Sequence, residues 1–311
     1  MSRDASRYED QDFREPSVGP SIGAHRRVPS GSRQAKESAI EANVRPVRSD
    51  DRDPARAQDP PSADERTYYV RDRAYRLRDS EVRTLKEIGI FRVIAARDLS
   101  RHVFGGDARR MEREIQHLER ESLLSEKTLE ISQKRTLRVL TLTKAGHRLI
   151  RQTGQIPDDQ ATYHGLLKSR EAQHDADLYR LYQKEAARIE RLGGHPVRVI
   201  LDYEIKRKLN RDLALLGLDK DNAERKAEIA EKHGLAVVNG KIPIPDMRVE
   251  YENAELALER VDLELATREY RPRSLADKAR AGFAIYGRSE DASRLRRILD
   301  ERELTREILT L

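Results

Sequence analysis

The run from Ser80 to Arg151 constrains this chain more than any other stretch. In it a double glycine precedes an arginine-studded helical pattern and then two strand-like segments. Val82, Leu85 and Ile88 recur at helical spacing, which predicts a helix capped by Ser80 and closed by Gly89. Ile94, Ala95 and Leu99 suit a short second helix. After the turn at Gly105-Gly106, Asp107 caps a third helix with Met111, Ile115 and Leu118 inward. The opposite side carries Arg109, Arg110, Arg113, Gln116 and Arg120, side chains able to reach phosphates or base edges in a major groove. Leu129-Glu130-Ile131 and Leu137-Arg138-Val139-Leu140 follow as a β-hairpin, with Gln133, Lys134 and Arg135 at its tip.

The hairpin runs out through Leu140-Thr141-Leu142-Thr143-Lys144-Ala145-Gly146. This segment resembles the strand-to-helix exit of winged-helix regulators, in which Leu-Thr and a glycine three residues after the threonine follow the wing. Together with the order of elements before it, the stretch reads as a winged helix-turn-helix. The third helix is then the reader of double-stranded DNA, and Lys134 and Arg135 meet the adjacent backbone or minor groove. The plainer alternative is a small helical domain with an incidental hairpin and solvated arginines.

Charge favours the first reading. Residues 67–155 hold 20 basic against 12 acidic groups, whereas residues 1–66 hold 12 against 13 and the rest 29 against 30. The excess therefore sits on the winged-helix segment, where phosphate neutralisation with counterion release makes affinity fall with salt. The chain has no cysteine, which excludes disulfides, thiol catalysis and Cys-based zinc sites. No apolar run approaches a membrane span and no signal-peptide core opens the chain, so a cytoplasmic protein with no membrane partner is expected.

Residues 1–66 mix Arg, Asp, Ser, Pro and Gly without a sustained period, and a disordered tail is expected there. Tyr68, Tyr69, Val70 and Tyr75 form an added strand or helix on the winged-helix domain, assigned to 67–153. Gly154, Pro157 and Asp158-Asp159 read as a linker. A second domain, 160–290, opens with a helix from Lys168 to Leu192. A strand at Val197 to Leu201 follows, then a charged helical excursion from Tyr203 to His233. Strands at Asp246 to Tyr251 and Leu256 to Leu265 and a helix at Ser274 to Tyr286 complete it. A C-terminal amphipathic helix is expected over 291–311, its stripe of Leu295, Ile298, Leu299, Ile308 and Leu309 either closing the second domain or joining a homodimer. The class is α+β.

Asp246 on one strand, Glu264 on the next and Lys278 in the following helix form the constellation with most chemical content. Two carboxylates at adjacent strand ends can hold Mg²⁺ beside a phosphate, where the metal activates water. Asp262 shares a strand face with Glu264. The layout resembles the PD-(D/E)xK nuclease-like core, with Asp246 and Glu264 matching its acids and metal ligands. Ala266 stands where its lysine belongs, and Lys278 is the replacement. The structural alternative is a scaffold, with Glu264 paired to Arg268 or Lys278. His174-Asp175 invites a metal reading too, although a helix-face histidine bonded to a neighbouring element is the commoner case.

A winged helix followed by Gln173-His174-Asp175, Pro245-Asp246, Glu264-Leu265-Ala266-Thr267 and Lys278 resembles the replication-relaxation family of bacterial plasmids and mobile elements. That resemblance implies DNA binding in replication, mobilisation or transcriptional regulation, with a nuclease-like second domain and no resident cofactor. Its alternative is a Mg²⁺-dependent endonuclease targeted by the winged helix.

Overall fold

The computed structural model describes residues 64–132, 135–165, 171–215, 222–267, 270–302 and 308–311. The described chain begins with an antiparallel hairpin, β1 (Glu65–Val70) and β2 (Arg73–Arg78), so the tyrosine-rich stretch is a strand pair that begins inside the expected tail. Residues 1–63, to which the rest of that tail belongs, lie outside the described residues. Helix α1 (Asp79–Phe91) follows without a break. Its first turn is held by Glu81, whose carboxylate accepts the Arg78 N–H at 2.8 Å, rather than by Ser80. Gly89 does not close the helix. A Cβ there would meet Leu142 at 3.2 Å, and the turn passes instead to Arg92 at φ 67°. The glycine is a packing residue.

Ile94 and Ala95 are not helical but form a short strand, β3 (Ile94–Ala95), before α2 (Ala96–His102). Helix α3 (Ala108–Arg120) starts at Asp107, whose side chain accepts the Arg110 N–H at 2.9 Å. Strands β4 (Leu124–Ser132) and β5 (Arg135–Leu142) pair antiparallel, and β3 joins the outer side of β5. Thr143 then caps α4 (Lys144–Gln152) by accepting the Gly146 N–H at 3.1 Å. A Cβ on Gly146 would sit 2.0 Å from the Leu123 carbonyl oxygen, so only glycine lets α4 pack there. The threonine and glycine of the exit segment thus have separate physical causes.

The rest is organised around α5 (Ala172–Arg191) and a five-stranded sheet. Strands β6 (His195–Leu201), β7 (Met247–Glu252) and β8 (Leu258–Ala266) pair antiparallel, with helices α6 (Asp202–Ala214) and α7 (Ala223–Lys232) between β6 and β7. Helix α8 (Pro272–Arg280) leads to β9 (Ala284–Gly287), parallel to β8; α9 (Ser289–Asp300) leads to β10 (Ile308–Thr310), parallel to β9. The sheet order is β10-β9-β8-β7-β6.

Two expectations are corrected here. The helix placed at Ser274 to Tyr286 stops at Arg280, where Gly282 at φ 91° turns the chain into β9. The C-terminal helix likewise ends at Asp300, and Ile308 to Thr310 form a strand. Leu295, Ile298, Leu299 and Ile308 are buried together with Leu275, Ala279 and Ile285. Their apolar face is covered within the chain, which is the closing role expected for that stripe.

Helix α5 is shared. Ala172 and Ala176 pack with Val93, Leu129, Leu137 and Val139, while Leu178, Leu181 and Ile189 face the core that includes Val199, Met247 and Leu263. Asp98 on α2 takes Arg180 of α5 at 3.2 and 2.9 Å. Buried Gln160, in the stretch read as a linker, donates to the Val199 carbonyl at 2.8 Å and accepts its N–H at 2.9 Å, occupying the free edge of β6. The described residues accordingly belong to one compact unit. None of their helices is long and apolar enough to cross a membrane.

Candidate functional site

Two places gather the candidate residues, and the first is the surface of α3. At about 3.6 residues per turn, its side chains fall into four longitudinal stripes. Met111, Ile115 and Leu118 are buried. On one flank Arg110 meets Glu114 at 2.9 Å and Ser80 at 3.0 Å, His117 Nδ1 meets Glu81 at 2.6 Å, and Glu121 meets Arg73 at 2.8 Å. On the other, Glu112 takes Arg138 at 2.6 Å and Glu119 accepts the Glu126 N–H at 3.2 Å. Arg138 also holds Glu126. The bond from Arg138 keeps the Glu112 carboxyl below its usual range.

The fourth stripe, Arg109, Arg113, Gln116 and Arg120, faces outward and is exposed. Arg109 and Arg113 have no intrachain partner among the described residues, whereas Gln116 leans on Glu112 at 3.3 Å and Arg120 on the Gln116 carbonyl at 3.2 Å. Arg110 is exposed beside that stripe, held on the flank by buried Glu114 and by Ser80. At the hairpin, Arg135 is exposed and Lys134 lies outside the described residues. Two of the three acids of α3 are therefore paired to arginines on its flanks, Glu112 to Arg138 and Glu114 to Arg110, and Glu119 is held by a backbone N–H. Arg109 and Arg113 on the outer stripe face no such acid among the described residues.

The second place is under the sheet ends. Pro245-Asp246 precedes β7; the Asp246 carboxylate accepts the Leu265 N–H of β8 at 2.9 Å and faces His174 Nε2 of α5 at 3.4 Å. Glu264 on β8 is fully buried; one oxygen accepts from the Tyr270 hydroxyl and the other from Lys278 Nζ at 2.8 Å. Lys278 also donates to the Ile244 carbonyl at 2.5 Å. Lys278 thus reaches the Glu264 carboxylate from α8. Asp262 is instead bound by Arg248 at 2.6 and 2.9 Å and takes no part. Arg268, the other partner considered for Glu264, lies outside the described residues.

Burial and the neighbouring Asp246 push the Glu264 carboxyl up to about 7, against the pull of Lys278 and Tyr270. Burial opposes charge on His174, but Asp175 and Asp246 outweigh it and push the imidazole up to about 10. Asp246 resists burial through His174 and Lys278 and stays below the usual carboxylate range. Two carboxylates thus face two cations in a low-dielectric setting.

Mg²⁺ would have to displace existing partners of Glu264 here. Both Glu264 oxygens already accept hydrogen bonds, and no group of three or more His, Asp or Glu among the described residues stands at metal-binding spacing. Sequence reasoning had not joined His174 to Asp246, nor found Tyr270. The only available signal for the first was His174-Asp175 on a helix preceding the sheet, and Tyr270 has none.

Comparison of the chain with protein-family models, curated proteins and solved structures gives no match in any of the three.

Proposed function

We propose that the chain binds double-stranded DNA through a winged helix-turn-helix formed by α1 to α4 with β3 to β5, and that α3 enters the major groove. The supporting observation is the division of labour on α3, where every glutamate is engaged on a flank while Arg109 and Arg113 remain open on the outer stripe. A helix whose acids are turned to its flanks presents its arginines on the outer ridge to phosphates and base edges. The resemblance to replication-relaxation proteins gives the setting, namely replication, mobilisation or transcriptional regulation on a plasmid or mobile element.

Changing Arg109 and Arg113 together to Ala is expected to weaken binding by about 1–3 kcal/mol for each arginine that addresses a base, or to reduce the salt slope by about 1 for each that addresses a phosphate. Titration of labelled duplex at several salt concentrations reads both. Unchanged affinity and slope would remove α3 as the reader.

The second half serves in this reading as a nuclease-like scaffold of PD-(D/E)xK type. What favours this over a Mg²⁺-dependent endonuclease is that both Glu264 oxygens are taken by Tyr270 and Lys278, while His174 and the Leu265 N–H share one oxygen of Asp246. Metal-dependent nicking by the intact chain, abolished in both Asp246→Ala and Glu264→Ala, would reverse the assignment.

A further inference from the structure

The hairpin of β1 and β2 is not needed to complete a three-helix and wing arrangement, yet it is fastened along α3. Its tip residue Arg73 holds Glu121 just past the C-terminal end of α3 at 2.8 Å. Beyond its base, Ser80 meets Arg110 in the first turn of α3 at 3.0 Å. These bonds lie on the flank of α3 opposite the one that meets β4 and β5, since residues 110, 114, 117 and 121 are half a turn away from 112 and 119. The outer stripe runs between the two hairpins.

Strand alternation divides the ribbon into two faces. Val70, Tyr75 and Leu77 are buried with Tyr68 packed beside them, and this face belongs to the core around α1. The other face carries Thr67, Tyr69, Ala74 and Arg76, with Glu65 and Arg78 paired at its base. Register sets Thr67 opposite Arg76 and Tyr69 opposite Ala74, which makes Tyr69 and Arg76 diagonal neighbours. Tyr69 is 72% exposed. Arg76 is exposed and has no partner among the described residues, and the same holds for Arg71 in the turn, where φ is 54°. Arg66 and Asp79 neutralise one another, while Asp72 opposes the field at the tip.

We propose that this hairpin is a second wing, which lays Tyr69 and Arg76 on the sugar-phosphate backbone beside the groove that α3 enters. A guanidinium forms charge-assisted bonds to phosphate oxygens and a phenolic hydroxyl adds a directed one, neither of which reads sequence. The ribbon presents one exposed ring amid polar and small side chains, a surface suited to a charged polymer rather than to an apolar protein partner. The inference rests on the assignment of α3 as reader.

The test uses the full chain and a duplex that it selects from a random pool, with hydroxyl-radical footprinting of wild type, Tyr69→Ala/Arg76→Ala and Arg109→Ala/Arg113→Ala. The hairpin variant is expected to lose about fivefold or more in affinity, with a salt slope lower by about 1. Its protected backbone should contract on one side of the site while base preference is retained. An unchanged footprint and affinity for the hairpin variant, beside lost binding for the α3 variant, would overturn the second wing and leave the reading of α3 intact. Failure of the wild-type chain to select any duplex, or unimpaired binding by the α3 variant, would defeat the assignment of α3 and the inference with it. Circular dichroism and Arg76→Ala alone guard against a folding defect, since Arg76 is exposed and has no partner among the described residues.

Discussion

Arg110 and Arg113 are three positions apart on one helix and do different things. Arg113 points outward without a partner, while Arg110 closes on Glu114, a carboxylate only 2% exposed. Arg110→Ala is expected to cost about 1–3 kcal/mol of stability by leaving that acceptor poorly satisfied, with little loss of DNA affinity. Arg113→Ala should do the reverse, and urea denaturation beside a DNA titration separates them. In the second half, Lys278 compensates a fully buried Glu264, so Lys278→Met is expected to destabilise by about 3–5 kcal/mol at neutral pH. The sign of the pH effect follows from the raised carboxyl. Glu264 contributes stability that is complete below its ordinary value of 4.5 and is lost as pH rises through about 7. Removing Lys278 carries that decline to higher pH, which unfolding midpoints across the range measure. Lys278 was a candidate partner of Glu264 from the sequence, through the resemblance to a nuclease-like core. The sequence held no sign of Tyr270, whose hydroxyl meets Glu264 only through the turn between β8 and α8.

At the scale of elements, α1 and α3 are joined by a titratable clasp. Glu81 is nearly fully buried and serves both the Arg78 N–H and His117 Nδ1. The bond to Glu81 raises the His117 imidazole above its ordinary 6.5, against burial. A raised folded value means that the clasp stabilises fully below 6.5 and weakens as pH rises through the higher folded value. Denaturant midpoints should therefore fall with pH over that window in wild type and much less in His117→Gln, after allowance for the opposing trends of other groups. Most element types were legible because each stripe or alternation is local. Ends were less so. Gly89 is punctuation by composition, yet inside α1 it admits Leu142; Ile308 and Leu309 continue a helical period, yet a strand position beside β9 was open to them.

The molecule as a whole is tied together across the stretch that reads as a linker. Gln160 completes the edge of β6, Arg180 bridges to Asp98, and α5 sets Ala172 and Ala176 against the first half while Leu178, Leu181 and Ile189 join a core common to both. The described unit is expected to unfold in a single transition, with Gln160→Ala lowering stability by about 1–3 kcal/mol because both Val199 backbone groups lose their partner. Two separate calorimetric transitions in wild type would contradict this coupling.

Sequence alone determined the helices that begin at Asp79, Ala108 and Ala172, the hairpin of β4 and β5, the Asp107 cap and the concentration of positive charge on residues 67–155. These depend on residues a few positions apart. Only the tertiary structure decided which arginines stay open, that His174 meets Asp246 and Lys278 meets Glu264, and that the last residues join a sheet. In each case the deciding group lies on another element, and burial gives the pairing its strength once folding has brought the two together.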